Sequence, residues 1–188
     1  MRVLSGLARG VPLKTLPDFN TRPILDRVKK SLFDILFSAG LLDRTRVADL
    51  YAGTGTMGLE ALSRGAAHCL FVERRPDAIK LLEENLAKTR LADRAEVKRD
   101  EVRRVLERLP TEPLFDLLLY DPPFEFSREA AHRAALAGEL ELAAKVLAPE
   151  GRLVLRCEKK AEPPQAAGLA LARHWTDGPH ALCFYGRA

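Results

Sequence analysis

The chain has 188 residues, of which 47% are hydrophobic and 30% charged, and this composition is typical of a soluble globular protein. A chain of this length buries roughly 70% of the surface that it exposes when unfolded, which is enough for a core without disulfides or a structural metal. No apolar run approaches the roughly 18 residues of a membrane span, and residues 1–10 lack the apolar core of a secretion signal, so the sequence predicts a cytoplasmic protein.

The positive charge is concentrated near the N-terminus. Residues 1–46 hold nine Lys/Arg against four Asp/Glu, whereas residues 47–188 hold 21 against 22. Such a local surplus favours the docking of a polyanion. We therefore predict that Arg22, Arg27 and Lys29 contact nucleic-acid phosphates; the alternative is a basic surface that is only solvated.

The N-terminal quarter is predicted to form a small hairpin followed by a helix. Residues 2–17 have the pattern of two short strands around a turn at Ala8–Gly10. The apolar stripe over Ile24–Phe37 predicts a helix, with Arg27 and Lys29 on its polar side. We expect residues 1–40 to form a basic extension packed on a main domain of residues 41–188.

From residue 46 onward, strand-like and helical segments alternate. Apolar runs predict strands at Val47–Tyr51, Cys69–Glu73, Val97–Arg99, Phe115–Tyr120 and Leu153–Cys157. Helices are predicted between them at Met57–Arg64, Pro76–Thr89, Glu101–Arg108 and Glu129–Leu147. The alternation predicts an α/β fold with a parallel sheet covered on both faces. Leu169–Trp175 and His180–Gly186 are too close in sequence for a crossover helix, so they predict an antiparallel hairpin at the end of the sheet.

A glycine-rich loop follows the first strand of the alternating region. Asp49–Gly58 reads DLYAGTGTMG, closes that strand and opens a helix. Glycines allow a tight turn and the close approach of a ligand. Glu73 ends the next strand, where a carboxylate can accept hydrogen bonds from both hydroxyls of a ribose. The pattern predicts a site for a nucleotide-like cofactor.

Two features argue against a nicotinamide cofactor. Asp49 lies four residues before the first glycine, and a second carboxylate there suits a ligand with a positive amino group better than a pyrophosphate. The residues after Gly58 complete one sheet and leave no separate substrate domain. The GxxxxGK[ST] phosphate loop is absent as well, which argues against a nucleotide triphosphatase.

A second candidate loop, Asp121-Pro122-Pro123-Phe124, follows the apolar strand Phe115–Tyr120. It is expected beside the glycine loop, because ligands of open α/β sheets bind at the carboxyl ends of the strands. The side chain of Asp121 and the carbonyl of Pro122 can accept hydrogens of an exocyclic amine. Consecutive prolines stiffen the loop, and Phe124 offers a face on which a base can stack.

Together these motifs resemble class I methyltransferases. The resemblance rests on DLYAGTGTMGLEALSRGA, on FVER, on Asp100–Glu101 after the third strand and on DPPF. More narrowly, the chain is similar to the bacterial enzymes that methylate the N2 amine of a guanine in small-subunit ribosomal RNA. Residues 22–33, RPILDRVKKSLF, resemble that family's RPTxDRxxExLF-like helix, but Ile24 stands where Thr is expected and Lys30 where Glu is expected.

The resemblance implies a Rossmann-like sheet of seven strands, mostly parallel, with an antiparallel C-terminal hairpin. The implied cofactor is S-adenosylmethionine and the implied partner is ribosomal RNA, naked or in an assembling small subunit, with the protein acting as a monomer. The residues expected to bind the cofactor are Asp49, Tyr51, Gly53, Thr54, Gly55, Gly58, Glu73, Arg74, Asp100 and Glu101. Those expected to act on the base are Asp121, Pro122, Pro123 and Phe124.

Three other functions stay open at this point. The DPPF loop would also serve the N6 amine of adenine in DNA or RNA. The glycine loop with its distant acid also fits an NAD-dependent oxidoreductase. A non-catalytic RNA-binding assembly factor is the third. No metal is predicted, because Cys69, Cys157 and Cys183 form no CxxC pair and the histidines have no ligand spacing.

Overall fold

The computed structural model describes residues 1–16, 24–123, 126 and 130–188. After an N-terminal segment, the helices are α1 (Asp26–Ser38), α2 (Thr56–Ser63), α3 (Pro76–Thr89), α4 (Val102–Arg108) and α5 (Ala130–Val146). The strands are β1 (Arg46–Leu50), β2 (His68–Glu73), β3 (Ala95–Arg99), β4 (Phe115–Tyr120), β5 (Leu147–Glu158), β6 (Leu169–Asp177) and β7 (His180–Arg187). No helix among the described residues is long and apolar enough to cross a membrane.

All seven strands form one sheet in the order β3-β2-β1-β4-β5-β7-β6. Strands β1 to β5 pair in parallel, whereas β7 is antiparallel to both of its neighbours. The predicted sheet with its antiparallel C-terminal hairpin is confirmed. The hairpin forms because only Gly178 and Pro179 separate β6 from β7, and two residues cannot lead a chain back to a parallel neighbour.

The central strands of the sheet are buried on both faces, which explains why they are apolar throughout. In β4, Leu117 and Leu119 pack in the cluster that contains residues of α1, α2 and α3. Leu118 and Tyr120, which alternate with them, pack in the cluster that contains residues of α4 and α5. Two buried faces are what a parallel sheet between helical layers requires.

Strand β5 begins six residues earlier than predicted. Leu147 pairs with Phe115 directly after α5, and the register then shifts before Arg152 pairs with Leu117. Gly151 lies at this irregularity, and a Cβ at that position would come within 3.0 Å of the Asp116 carbonyl oxygen. Residues 148–151, Ala-Pro-Glu-Gly, form an irregular stretch of this strand.

The N-terminal segment folds back on itself but forms less sheet than predicted. Arg2 and Pro12 make an isolated antiparallel bridge and not two strands. Proline has no amide hydrogen to extend a ladder. The segment docks on α2, where the amides of Leu4 and Ser5 donate to the Glu60 carboxylate at 2.7 and 3.0 Å.

Lys29 belongs to this junction, and its predicted contact with RNA is wrong. The side chain is fully buried. Its Nζ donates to the carbonyl of Arg2 at 2.7 Å and to Thr56 Oγ1 at 3.2 Å, and lies 3.7 Å from Glu60 Oε2. Burial lowers the pKa of Lys29, and the nearby Glu60 carboxylate opposes that shift. A charge in this position joins α1, α2 and the N-terminal segment, and no phosphate can reach it.

A pair of glycines tests how much the docking of the N-terminal segment contributes to stability. Gly6 and Gly10 have nearly the same φ, +81° and +83°. A Cβ at Gly10 meets no atom within 4 Å, whereas one at Gly6 would overlap the backbone carbonyl oxygen of Ser63 on α2. Both changes to alanine therefore carry the same backbone cost, about 1–2 kcal/mol for a left-handed residue.

We expect Gly6→Ala to lower the free energy of unfolding by about 2 kcal/mol more than Gly10→Ala. The added methyl forces the turn off α2 and breaks its hydrogen bonds from Leu7 and Ala8 to Ser63, each of which contributes about 1 kcal/mol. Urea denaturation of the two variants measures the difference. Equal losses would show that the segment contributes nothing to stability at this contact.

Candidate active site

The candidate residues meet at the carboxyl ends of β1, β2 and β4. Strand β1 lies between β2 and β4, and the chain passes from one half of the sheet to the other between β3 and β4. Open α/β sheets bind ligands at this kind of reversal in strand order. The glycine loop leaves β1 there, Glu73 ends β2, and Asp121 follows β4.

The glycine loop turns sharply from β1 into α2. Tyr51, Gly53 and Gly55 all have positive φ, at 65°, 56° and 81°. A Cβ at Gly58 would collide with the Phe71 ring and lie 2.8 Å from Cys69 Sγ, so this glycine allows α2 to pack closely on β2. The sequence thus places its glycines where the backbone must turn and where helix and strand approach most closely.

Asp49 stabilises the glycine loop through a buried hydrogen bond. It is 1% exposed, and its Oδ2 accepts the Gly58 amide hydrogen at 2.8 Å. Its Oδ1 is buried and has no hydrogen-bond partner among the described residues. Burial raises the pKa of Asp49 well above its usual range; the Gly58 hydrogen bond opposes this, and the Asp121 and Glu73 carboxylates add to it. A cation bound nearby would favour the ionised form of this carboxyl group.

Glu73 ties the glycine loop to the end of β2. Its Oε2 accepts the Gly53 amide hydrogen at 2.8 Å, and its Oε1 accepts those of Arg74 and Arg75 at 2.9 Å each. A carboxylate has about four acceptor positions, so one stays open for a ligand hydroxyl. Its role in holding the loop was not anticipated from the sequence.

Asp100 and Glu101 lie at the start of α4. Asp100 accepts the Glu101 amide hydrogen at 2.8 Å and pairs with Arg108 at 2.9 Å, while Glu101 lies 3.5 Å from Arg104. Both carboxylates thus already have partners on their own helix. The binding of the cofactor by these two residues, predicted from the sequence, stays a prediction.

Tyr51 is held by a residue that the sequence did not single out. The hydroxyls of Tyr51 and Tyr120 both donate to Oε2 of Glu139, at 2.8 and 2.5 Å. The Tyr51 ring also meets the edges of Tyr120 and Phe126, with centroids 5.6 and 5.8 Å apart. Burial and the Glu139 charge raise the pKa of Tyr51. The sequence did contain a feature that could have revealed Glu139, because this carboxylate stands next to Leu140 on the buried side of α5.

Asp121 is held by Arg156 of β5. Arg156 Nε donates to Oδ1 at 2.6 Å, and Nη2 donates to Oδ2 at 3.0 Å. The main-chain amide of Asp121 donates to the carbonyl of Leu50 at 3.2 Å, which fixes the loop to β1. Pro122 is buried and Pro123 exposed, while Phe124 lies outside the described residues. The sequence feature that could have revealed Arg156 is its position within the apolar run LVLRC.

One of the three predicted RNA contacts is exposed in the described part of the chain. Arg27 has a side chain 62% exposed, and its Nε pairs with Asp177 Oδ2 at 2.7 Å. Lys29 is buried, as described above, and Arg22 lies outside the described residues. Cys69, Cys157 and Cys183 are buried free thiols. Within the described ranges, no three His, Cys, Asp or Glu side chains come together in a way that could hold a metal ion.

Comparison with known proteins identifies the family. A family model described as "Conserved hypothetical protein 95" matches residues 1–186. The "Putative rRNA methyltransferase YlbH" of Bacillus subtilis (strain 168) is 34% identical over 187 residues, which cover 98% of each chain. The "Ribosomal RNA small subunit methyltransferase D" of Haemophilus influenzae is 34% identical over 128 residues, covering 68% of this chain and 65% of that protein.

A solved structure agrees with these matches. The "Putative methyltransferase yhhF from Escherichia coli" superposes with a TM-score of 0.83 at 29% identity, covering 100% of this chain and 97% of the other. The family resemblance predicted from the glycine loop and DPPF is confirmed. With nearly its whole length matched, the chain belongs to the family described as Conserved hypothetical protein 95.

Proposed function

We propose that the chain transfers a methyl group from S-adenosylmethionine to the exocyclic N2 amine of a guanine in small-subunit ribosomal RNA. The observation that carries this proposal is the meeting of two loops. The glycine loop and the Asp121–Pro122 loop leave the adjacent parallel strands β1 and β4 at the same edge, and the Asp121 amide bonds directly to the end of β1. Cofactor and acceptor base would therefore lie side by side.

The residues present fit this cofactor. S-adenosylmethionine carries an ammonium and a sulfonium, and the carboxyl groups of Asp49 and Glu73 lie against the glycine loop that would hold it. Oδ1 of Asp49, buried and without a hydrogen-bond partner in the described part of the chain, would favour a cation in the loop, and the open acceptor position of Glu73 suits a ribose hydroxyl. When bound, the cofactor supplies an electrophilic methyl group on a good leaving group.

The acceptor loop suits an aromatic amine. Such an amine is a poor nucleophile because its lone pair is delocalised into the ring, so it needs acceptors for its hydrogens and alignment with the methyl donor. Asp121 and the Pro122 carbonyl would supply the acceptors, with the base against Phe124. Well-oriented reactants gain roughly 7–11 kcal/mol from proximity, so positioning by a stiff loop suffices and no nucleophilic side chain is required.

The choice of ribosomal RNA is supported by the relatives, which are named rRNA methyltransferase and ribosomal RNA small subunit methyltransferase. The choice of guanine N2 rests on the motif resemblance. Digestion of methylated RNA to nucleosides and mass spectrometry tests both. N2-methylguanosine is expected; N6-methyladenosine, or transfer to DNA in place of RNA, would contradict the proposal.

Glu73 provides a test of the cofactor site. Glu73→Ala removes an acceptor for the ribose and releases the Gly53 amide, so we expect the affinity for S-adenosylmethionine to fall by about 1.5–3 kcal/mol, the size of charged hydrogen bonds. Isothermal calorimetry measures this. Glu96→Ala, on the exposed edge strand β3, is the matched control and should bind normally. Unchanged affinity in Glu73→Ala would exclude Glu73 from the site.

Asp121 provides a test of the acceptor loop. We expect Asp121→Asn to slow methyl transfer about 100-fold while leaving cofactor affinity intact, because misorientation alone carries a cost of this size. Asp116→Asn is the control, since Asp116 lies at the opposite end of the same strand and accepts the Arg46 amide there. A single-turnover assay with radiolabelled cofactor measures both. A wild-type rate in Asp121→Asn would show that the amine is bound elsewhere.

Arg27 provides a test of RNA docking at α1. If its exposed guanidinium contacts a phosphate, Arg27→Ala should weaken RNA binding and reduce the slope of log K against log[salt] by roughly 0.7–0.9. Lys145→Ala is the control: this exposed lysine ends α5 where β5 begins, at the edge of the sheet opposite the site. If the two variants show the same affinity and slope as the wild type, the α1 surface is only solvated.

A further inference from the structure

The Asp121 carboxylate is oriented from a neighbouring strand. Both of its oxygens accept a hydrogen bond from the guanidinium of Arg156, at 2.6 and 3.0 Å. We infer that Arg156 is a positioning residue for methyl transfer, which fixes Asp121 so that a single lone pair faces the acceptor amine. The inference rests on the function proposed above and names a residue that acts through Asp121 and does not touch the base.

The two-pronged contact decides which lone pairs stay available. A guanidinium that donates to both oxygens of a carboxylate occupies the lone pairs that face each other, one on each oxygen. The lone pairs that remain point outward and diverge, so the carboxylate cannot grip a base with both oxygens at once. Asp121 therefore accepts one hydrogen of the amine, and the second hydrogen requires another acceptor, for which the Pro122 carbonyl is the neighbour in the chain.

The surroundings of Arg156 make its orientation rigid. It is 6% exposed and lies on β5, which pairs with β4 on one side and with β7 on the other. Its Nη1 lies 3.5 Å from Nδ1 of His180, the first residue of β7 and itself buried. Because the Arg156 guanidinium is packed among these strands, the Asp121 carboxylate that it binds has little rotational freedom. A lysine would keep the charge but lose the planar fork that fixes both oxygens.

A double-mutant cycle tests this role. The variants are Arg156→Lys and Asp121→Asn, alone and together, with Arg152→Lys as the matched control on the same strand. Arg152 donates to the carbonyls of Glu150 and Gly151 at the amino end of β5, away from the site. The measurements are kcat for methyl transfer and the dissociation constant for S-adenosylmethionine.

We expect Arg156→Lys to lower kcat about 10- to 100-fold, as small misplacements do, with an unchanged dissociation constant for the cofactor. In the Asp121→Asn background the same change should lower kcat little further, because the orientation that it provides is already lost. Arg152→Lys should behave as wild type. A wild-type kcat in Arg156→Lys, or equal factors in the two backgrounds, would overturn the inference.

A second variant and an independent assay distinguish a failure of this inference from misfolding and from a failure of the proposed function. If Arg156→Lys loses cofactor binding through misfolding, Arg156→Gln, which keeps one side-chain donor without the charge, is put through the same cycle and decides the question. The nucleoside analysis tests the proposed function independently. If the methylated base is not guanine, the cycle is run on the base that is methylated, and its result still shows whether Arg156 acts through Asp121.

Discussion

Carboxylates that accept main-chain amide hydrogens hold the site together. Asp49 binds the amide of Gly58, and Glu73 binds that of Gly53, so the glycine loop is fixed at both ends of its turn. Glu60, one turn further along α2, binds the amides of Leu4 and Ser5 in the same way. Without these acceptors, several amides at the start of α2 and in the N-terminal segment would lack partners, and unpaired buried amides are costly.

Buried ion pairs occur where separate parts of the chain join. Lys29 with Glu60 connects α1 to α2, and Arg156 with Asp121 connects β5 to the loop after β4. Removing charges from water costs about as much as their attraction returns, so such pairs add little net stability. Here they determine geometry, because each pair fixes the relative orientation of two elements whose apolar surfaces alone would tolerate small shifts.

Local patterns in the sequence were sufficient to predict the architecture of the sheet. Apolar runs, helical stripes and glycine positions are properties of neighbouring residues, and they predicted all seven strands and the antiparallel hairpin. The same patterns missed the partners of charged residues. Lys29 lies on the polar side of its helix by periodicity, and its burial depends on partners distant in sequence, the Arg2 carbonyl, Thr56 and Glu60. Arg156 and Glu139 stand out as charged residues in apolar surroundings, but their partners Asp121 and Tyr51 lie far away in sequence, and no local pattern identifies those partners.

The position of β7 inside the sheet has a consequence for synthesis of the chain. Strand β6 lies at the edge and is attached to the sheet through β7, although it is made first. Until residues 180–187 leave the ribosome, β6 has no neighbour in the sheet and β5 exposes an open edge of unpaired backbone groups, the kind of surface that recruits other chains. Hairpins with tight turns close within about 1–10 μs, so once residues 180–187 are free, the two-residue connection at Gly178–Pro179 adds almost no further delay before β7 covers the edge of β5.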